Sequence, residues 1–229
     1  MINFNITFKM SRLILFQRNE IMTNFQKKIR KLFGRYLYTQ LFSYINNRKH
    51  ISKEYFNVSN KEYIFLKKFI RPQDKNILSI GGGLGGVECI ILSNHSKVFM
   101  DMIERDFISK KIRYFFNPDE AYNKLNLTKE FILMNSLNAK NFLLFDYENK
   151  HTIKKKYDLI FSLFSMDYHY DLINYYEFFK KNSHRETNFI FDTVRYKELK
   201  KFFKKVEVLE NVKKEIHSHS RVICSELIS

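Results

Sequence analysis

Residues 76–106 read NILSIGGGLGGVECIILSNHSKVFMDMIERD, and the fold of the chain is decided in this stretch. The run Ile77-Leu78-Ser79-Ile80 is short and apolar, as in a strand buried on both faces. Five of the six glycines in the protein follow within six positions, from Gly81 to Gly86, with Leu84 alone intervening. Val87, Ile90 and Ile91 then recur at helical spacing, a second strand is expected over residues 98–103, and Glu104 closes it. Strand, glycine turn, helix, strand and acid are the parts of a nucleotide-binding half of a doubly wound sheet. Each part has its own reason. Glycine permits backbone angles that a side chain forbids and lets main chain approach a ligand. A carboxylate about 20 residues later can accept hydrogen bonds from both hydroxyls of a ribose.

Outward from this stretch, the chain of 229 residues has room for one α/β domain and an extension. It carries a net charge of +16, which by itself points to an anionic partner such as nucleic acid, anionic lipid or a phosphorylated substrate. The composition is also rich in Lys, Asn, Ile, Phe and Tyr, with alanine only at Ala121 and Ala139, as an A/T-rich coding sequence would produce. Charge alone therefore names no partner. Cys89 and Cys224 lie in apolar runs without paired metal spacing, as buried free thiols do in a reducing compartment. No segment approaches the roughly 18 apolar residues of a membrane span. Arg12 and Arg18 bracket the run 13–16 too closely for a signal-peptide core, so a cytoplasmic location is expected.

Residues 1–50 are set apart by ten Lys and Arg against a single acid, Glu20. Ile21, Phe25, Ile29 and Phe33 recur every four residues, so a basic amphipathic helix is expected over residues 21–33. Two readings compete for it: peripheral attachment to an anionic membrane, and a packing helix whose charged face is wet. The second is preferred, because one apolar stripe is what any docked helix shows. Ser59-Asn60 offers a cap for a helix ending near Arg71-Pro72. Further along, a helix is expected over residues 107–115, a third strand over 130–134, a helix over 136–145 and a strand over 157–164. Then come a helix over 171–181, a strand over 188–192, a helix over 196–203, and strands over 206–209 and 220–226. The division expected is a basic helical extension, residues 1–58, and a domain, residues 59–229.

The glycine run is not a triphosphate loop, since no Lys-Ser or Lys-Thr pair follows it. A dinucleotide site is less favoured, because little length remains for a separate substrate domain. The segment Ile80-Gly81-Gly82-Gly83-Leu84-Gly85-Gly86 resembles the first motif of the class I S-adenosylmethionine-dependent methyltransferases, and Ile103-Glu104-Arg105-Asp106 the end of their second strand. The resemblance implies a Rossmann-like α/β fold: a mostly parallel seven-stranded sheet with helices on both faces and an antiparallel terminal strand. It implies S-adenosyl-L-methionine as cofactor, with Gly81, Gly83 and Gly85 lining its methionine and ribose end and Glu104 holding the ribose hydroxyls. It also implies Asn135, after the expected third strand, at the adenine amino group. The wording GGGLGG with a later IERD is close to polyamine synthases as well, but their acidic motif after the fourth strand is absent.

The stretch 161–170, FSLFSMDYHY, runs past the carboxyl end of the expected fourth strand, where open α/β sheets bind ligands. With the strand before it, and through Ser162, Ser165 and Tyr168-His169-Tyr170, it resembles the sugar O-methyltransferase family over about residues 75–195. Asp167 stands where that family tends to have Gly, and Asp171 where Pro is common. The resemblance implies methyl transfer to a hydroxyl of a sugar or similar small molecule, with Ser162 on the cofactor side. His169 is the natural general base, since an unperturbed pKa of about 6.5 leaves it mostly neutral at physiological pH. Asp167, Asp171 or Asp192 would orient it, and Tyr168 and Tyr170 would stack on a sugar ring. Asp167, His169 and Asp171 also alternate as metal ligands would in an extended loop, but no further acid lies near in sequence and no metal is expected. RNA is a less favoured substrate, since neither an Asn-Pro-Pro-Tyr-like motif nor a catalytic-cysteine motif is present. A non-catalytic scaffold with the cofactor fold stays open. The alternation of His217 and His219 with serine reads as a solvated strand face.

Overall fold

A computed structural model describes residues 3–110, 121–163, 165–166, 171–212 and 219–228. The chain divides into two compact units. The first comprises Met1–Lys68, Gly83–His95 and Arg105–Lys140; the second comprises Phe69–Gly82, Ser96–Glu104 and Asn141–Ser229. The chain passes from one unit to the other inside the glycine run and again after Glu104.

The second unit holds the sheet. Its strands are β1 (Asn76–Ile80), β2 (Phe99–Glu104), β3 (Phe142–Asp146), β4 (Tyr157–Ser162), β5 (Ser183–Thr193), β6 (Phe203–Val212) and β7 (His219–Leu227). Their order is β3-β2-β1-β4-β5-β7-β6. Pairing is parallel from β3 through to β5, and β7 runs antiparallel between β5 and β6. This is the Rossmann-like methyltransferase sheet, with the last strand inserted against the direction of the rest. One face is covered within this unit by α6 (Ile173–Asn182), whose Tyr175, Phe178 and Phe179 pack with Leu78, Ile80, Ile160, Phe189, Phe191 and Val222. Phe179 lies edge-on to Phe189 at 5.2 Å, the tilted geometry that aromatic rings favour.

The lower ends of three strands are clipped by one acid. Asp158 accepts hydrogen bonds from the main-chain N–H of Lys75 and Asn76, both at 2.8 Å, and meets His184 at 3.0 Å. Partial burial works against its charge, but the two N–H donors and His184 outweigh it and hold the carboxyl below its usual range. In the middle of β2, buried Asp101 accepts from the Tyr157 hydroxyl at 2.6 Å and from Lys155 at 3.1 Å. Burial first, and Asp101 second, push the Tyr157 phenol far above its ordinary pKa, so it stays a donor.

The first unit is helical: α1 (Phe8–Gln17), α2 (Asn24–Phe42), α3 (Arg48–Leu66), α4 (Gly86–Asn94) and α5 (Leu125–Asn135). Asn47, not Ser59-Asn60, caps α3: its side chain accepts from the N–H of Lys49 and His50. Ser59 lies inside the helix and is buried. The division expected between residues 58 and 59 falls in the middle of α3. Residues 107–110 are not helical, since Ile108 forms an antiparallel bridge with Tyr122; the rest of the helix expected over 107–115 lies outside the described residues.

Two expected elements exchange identity. Residues 130–134, read as the third strand, belong to α5, where Thr128, Phe131, Ile132 and Asn135 are buried at helical spacing. Residues 142–145, the end of the helix expected over 136–145, form β3 with Asp146 at the sheet edge. Cys89 and Cys224 are buried free thiols, as expected. Burial, and then Glu88, push Cys89 up to about 12. Among the described residues, no helix is long and apolar enough to cross a membrane.

Candidate functional site

In the second unit, the strand ends form a row of polar groups at the carboxyl edge of the sheet. The sheet order makes β1 and β4 neighbours at the point where the chain reverses its direction of travel, the place where open α/β sheets bind ligands. Gly81 follows β1 with a φ of 71°, a left-handed backbone that glycine adopts without strain. Its N–H donates to the Ile103 carbonyl at 2.9 Å, which fixes the turn to the end of β2. Glu104 is the last residue of β2 and is 6% exposed. In register beside it on β3 stands Asp146, whose Oδ1 accepts the Glu148 N–H at 3.1 Å. Two neighbouring strands thus end in carboxylates.

The β4 end is different. Ser162 is fully buried, donates to the Ile80 carbonyl at 2.9 Å and accepts from the Met166 N–H at 3.0 Å. Its hydroxyl shapes the turn from β4 and holds it to β1, which revises the cofactor contact expected of it. Ser165 donates to the next carbonyl along the chain, that of Gly81, at 2.7 Å. Both serines quoted for the strand-end motif are therefore braces of the glycine turn. Asp167, Tyr168, His169 and Tyr170 lie outside the described residues. Asp171 forms an ion pair with Arg195.

The β5 end carries a buried charged cluster that local pattern hardly marks. Asp192 is fully buried and receives two hydrogen bonds from Arg221 of β7, from Nε at 2.6 Å and from Nη2 at 2.8 Å. His219 Nε2 stands 3.6 Å from Oδ2 of this carboxylate. The reading of His219 as part of a solvated face is corrected: its side chain is 1% exposed, packed beside the buried Asp192. His217 lies outside the described residues. The signal available in the sequence was the spacing of His219 and Arg221, which places them on one side of a strand.

In the first unit, the remainder of the glycine run is embedded in side chains. A Cβ on Gly83 would sit 2.7 Å from Gln17 Oε1; on Gly86 it would sit 2.2 Å from Ser59 Oγ. Gly85, at φ 92°, caps α4 in a left-handed conformation, and a Cβ there would stand 3.1 Å from Ile132 Cδ1. Hydrogen bonds complete the packing. Gln17 accepts the Leu84 N–H at 3.1 Å, and the Gly83 carbonyl accepts from Asn123 and Thr128, each at 3.0 Å. The Gly86 N–H donates to the Tyr55 hydroxyl at 3.0 Å. Burial, the largest influence, raises the Tyr55 pKa, so the hydroxyl remains neutral. Gln17, Tyr55 and Asn123 were not singled out by sequence, since nothing in their local patterns marks them.

Asn135 is the clearest correction. It ends α5 rather than a strand, and its amide is committed to the chain start: Oδ1 accepts the Asn5 N–H at 2.6 Å and Nδ2 donates to the Asn5 carbonyl at 2.8 Å. The residue that does end the third strand is Asp146.

No protein-family model matches the chain, and no curated protein is a significant match to it. Solved structures do match. A candidate O-methyltransferase from Nostoc punctiforme shares 9% identity over 94% of this chain and 71% of its own, with a TM-score of 0.53. The mitomycin 7-O-methyltransferase MmcR shares 10% identity over 96% of this chain and 61% of its own, at a TM-score of 0.49. The StiE O-methyltransferase domain shares 12% identity over 72% and 56%, at 0.48. The chain thus spans little more than half the length of some of the structures it matches. With its strand order and antiparallel β7, the chain has the class I S-adenosylmethionine-dependent methyltransferase fold.

Proposed function

We propose that this protein is an S-adenosylmethionine-dependent methyltransferase that modifies a hydroxyl of a sugar or similar small molecule. The observation that carries the reading is the in-register pair Glu104 and Asp146 at the ends of β2 and β3, beside the Gly81 turn. Carboxylates are acceptors only, with about four lone-pair sites each. They suit the hydroxyl and amino donors of a nucleoside and the positive charge of a sulfonium. Glu104 would hold the ribose hydroxyls. Asp146 would take the adenine-side contact that the sequence assigned to Asn135. Gly81 would give the cofactor close approach to main chain.

When bound, the cofactor supplies a methyl group already activated on sulfur. The residues of the chain then have two tasks. One is to hold the acceptor hydroxyl in line, which accounts for most of the acceleration expected of a reaction with an activated donor. The other is to remove the hydroxyl proton, which we assign to His169 with Asp167 orienting it. A cysteine nucleophile is disfavoured, because burial raises the pKa of both Cys89 and Cys224 and keeps them as thiols.

Calorimetry with S-adenosylmethionine tests the cofactor, and complete absence of binding would favour a non-catalytic role. Mass spectrometry of candidate glycans with isotopically labelled methyl donor then tests the acceptor. His169→Ala should abolish turnover while cofactor still binds; unchanged turnover would remove His169 from the mechanism.

A further inference from the structure

The amphipathic segment near the start of the chain does not bury its apolar stripe. α2 is two helical stretches joined at Gly34, whose φ of 78° and ψ of 163° are not helical, and its buried positions are Arg30, Gly34, Tyr38 and Thr39. Phe25, Leu32, Phe33, Leu37 and Leu41 are exposed, and Tyr44 and Ile45 continue the exposure past its end. Phe25 is 71% exposed, Leu32 80% and Ile45 79%. The docked stripe expected from Ile21, Phe25, Ile29 and Phe33 is thus not what packs.

Arg30 explains why its own side of α2 turns inward. Its guanidinium donates to the carbonyls of Leu15 at 2.7 Å and Phe16 at 3.2 Å, at the last turn of α1. A cation there meets the negative end of the helix and carbonyls that lack partners within it. With Arg30 fixed in this position, the aromatic and leucine side chains of α2 are left to the outside.

The charge around them is one-sided. Between Glu20 and Glu54 there is no Asp or Glu, while Lys27, Lys28, Lys31, Arg35, Arg48, Lys49 and Lys53 carry positive charge beyond the buried Arg30. We propose that α2 and the turn after it attach the protein peripherally to a bilayer rich in anionic phospholipid, lying in the headgroup plane. Exposed aromatic and leucine side chains would enter the acyl boundary and the lysines would meet headgroup phosphates and carboxylates. The helix is not apolar enough to span. A second copy of the chain fits less well, because it would oppose two acid-free basic surfaces. Nucleic acid would satisfy the lysines and leave the apolar side chains without a role.

The test uses the full chain with vesicles of phosphatidylcholine alone, and of phosphatidylcholine mixed with phosphatidylserine, in a flotation assay. Binding is expected only to the anionic vesicles and should weaken as salt rises. Lys27→Gln, Lys28→Gln and Lys31→Gln combined should lower the partition about 100-fold, from roughly fivefold per basic residue. Leu32→Ser with Leu41→Ser should lower it by at least about tenfold, given the transfer cost of two leucine side chains. Both sets alter exposed or half-exposed positions, and an unchanged melting temperature verifies the fold. Equal binding to neutral vesicles, or binding to none, would overturn the proposal. So would concentration-dependent dimerisation lost in the leucine variant, or RNA binding indifferent to it, if vesicle binding is absent.

Discussion

The carboxyl ends of β2 and β5 each carry a buried acid, and the two acids have different neighbours. Asp192 on β5 is clasped by both arms of Arg221 and has His219 beside it. Glu104 on β2 stands in register with a second acid, Asp146. A bidentate guanidinium neutralises a carboxylate and fixes its geometry, so Asp192 is built as part of the sheet. Two in-register carboxylates present acceptors only, which suits them to the donors of a ligand. Burial of an acid at a strand end therefore does not by itself mark a binding residue.

The largest effect should come from breaking the neutralised side. Arg221→Met leaves Asp192 buried without its guanidinium and should cost about 3–5 kcal/mol, read by urea denaturation. Adding Asp192→Leu should recover much of that loss; a double variant as unstable as the single one would mean the pair is more than a self-compensating unit. On the other side, Glu104→Gln should weaken S-adenosylmethionine binding by about 1.5–3 kcal/mol, the worth of hydrogen bonds to a charged group. Calorimetry reads this, and stability should change little. An unchanged affinity would dissolve the contrast between the two acids.

Ser162→Ala, at the boundary between the two sides, removes hydrogen bonds to Ile80 and Met166. A loss of about 1–2 kcal/mol in stability is expected, larger than any direct effect on cofactor affinity. The smallest effect concerns Asp158, at the opposite end of the strands. Its folded pKa is depressed, so its contribution is complete above an unfolded value of about 3.9 and disappears as pH falls through the lower folded value. Solvent screening holds the contribution to under about 1 kcal/mol. Melting curves of the protein and Asp158→Asn should therefore converge as pH falls through the depressed folded pKa and separate above the unfolded value; parallel curves would refute the assignment.

Where an element is buried on one clear periodicity, its sequence was readable. β1 and β4 are almost wholly buried and appeared as unbroken apolar runs. α6 and the β6–β7 pair were likewise legible. The exchange of helix and strand over residues 130–146 has a physical cause. β3 lies at the sheet edge, where Leu143 is 56% exposed, so neither alternation nor full burial marks it. The run Phe131-Ile132-Leu133-Met134 reads as a strand, but only Phe131 and Ile132 are buried. That error carried Asn135 into the candidate site and left Asp146 out of it.

The glycine run shows how far sequence reaches. By itself the chain determined that a left-handed turn links a buried strand to a helix, because five glycines in six positions have few other uses. It determined Glu104 at the end of the next strand, and a basic amphipathic segment near the start. Only the tertiary structure decided that Gly83 and Gly86 are glycines to make room for Gln17, Ser59 and Tyr55. Only it decided that Asp192 faces Arg221 and that α2 turns its lysines and leucines outward together. Local pattern fixes backbone conformation where, as in the glycine run, a few neighbouring residues decide it. The partner of a buried charge and the exposed side of a helix depend on residues far away in sequence, such as Leu15 for Arg30 and Arg221 for Asp192.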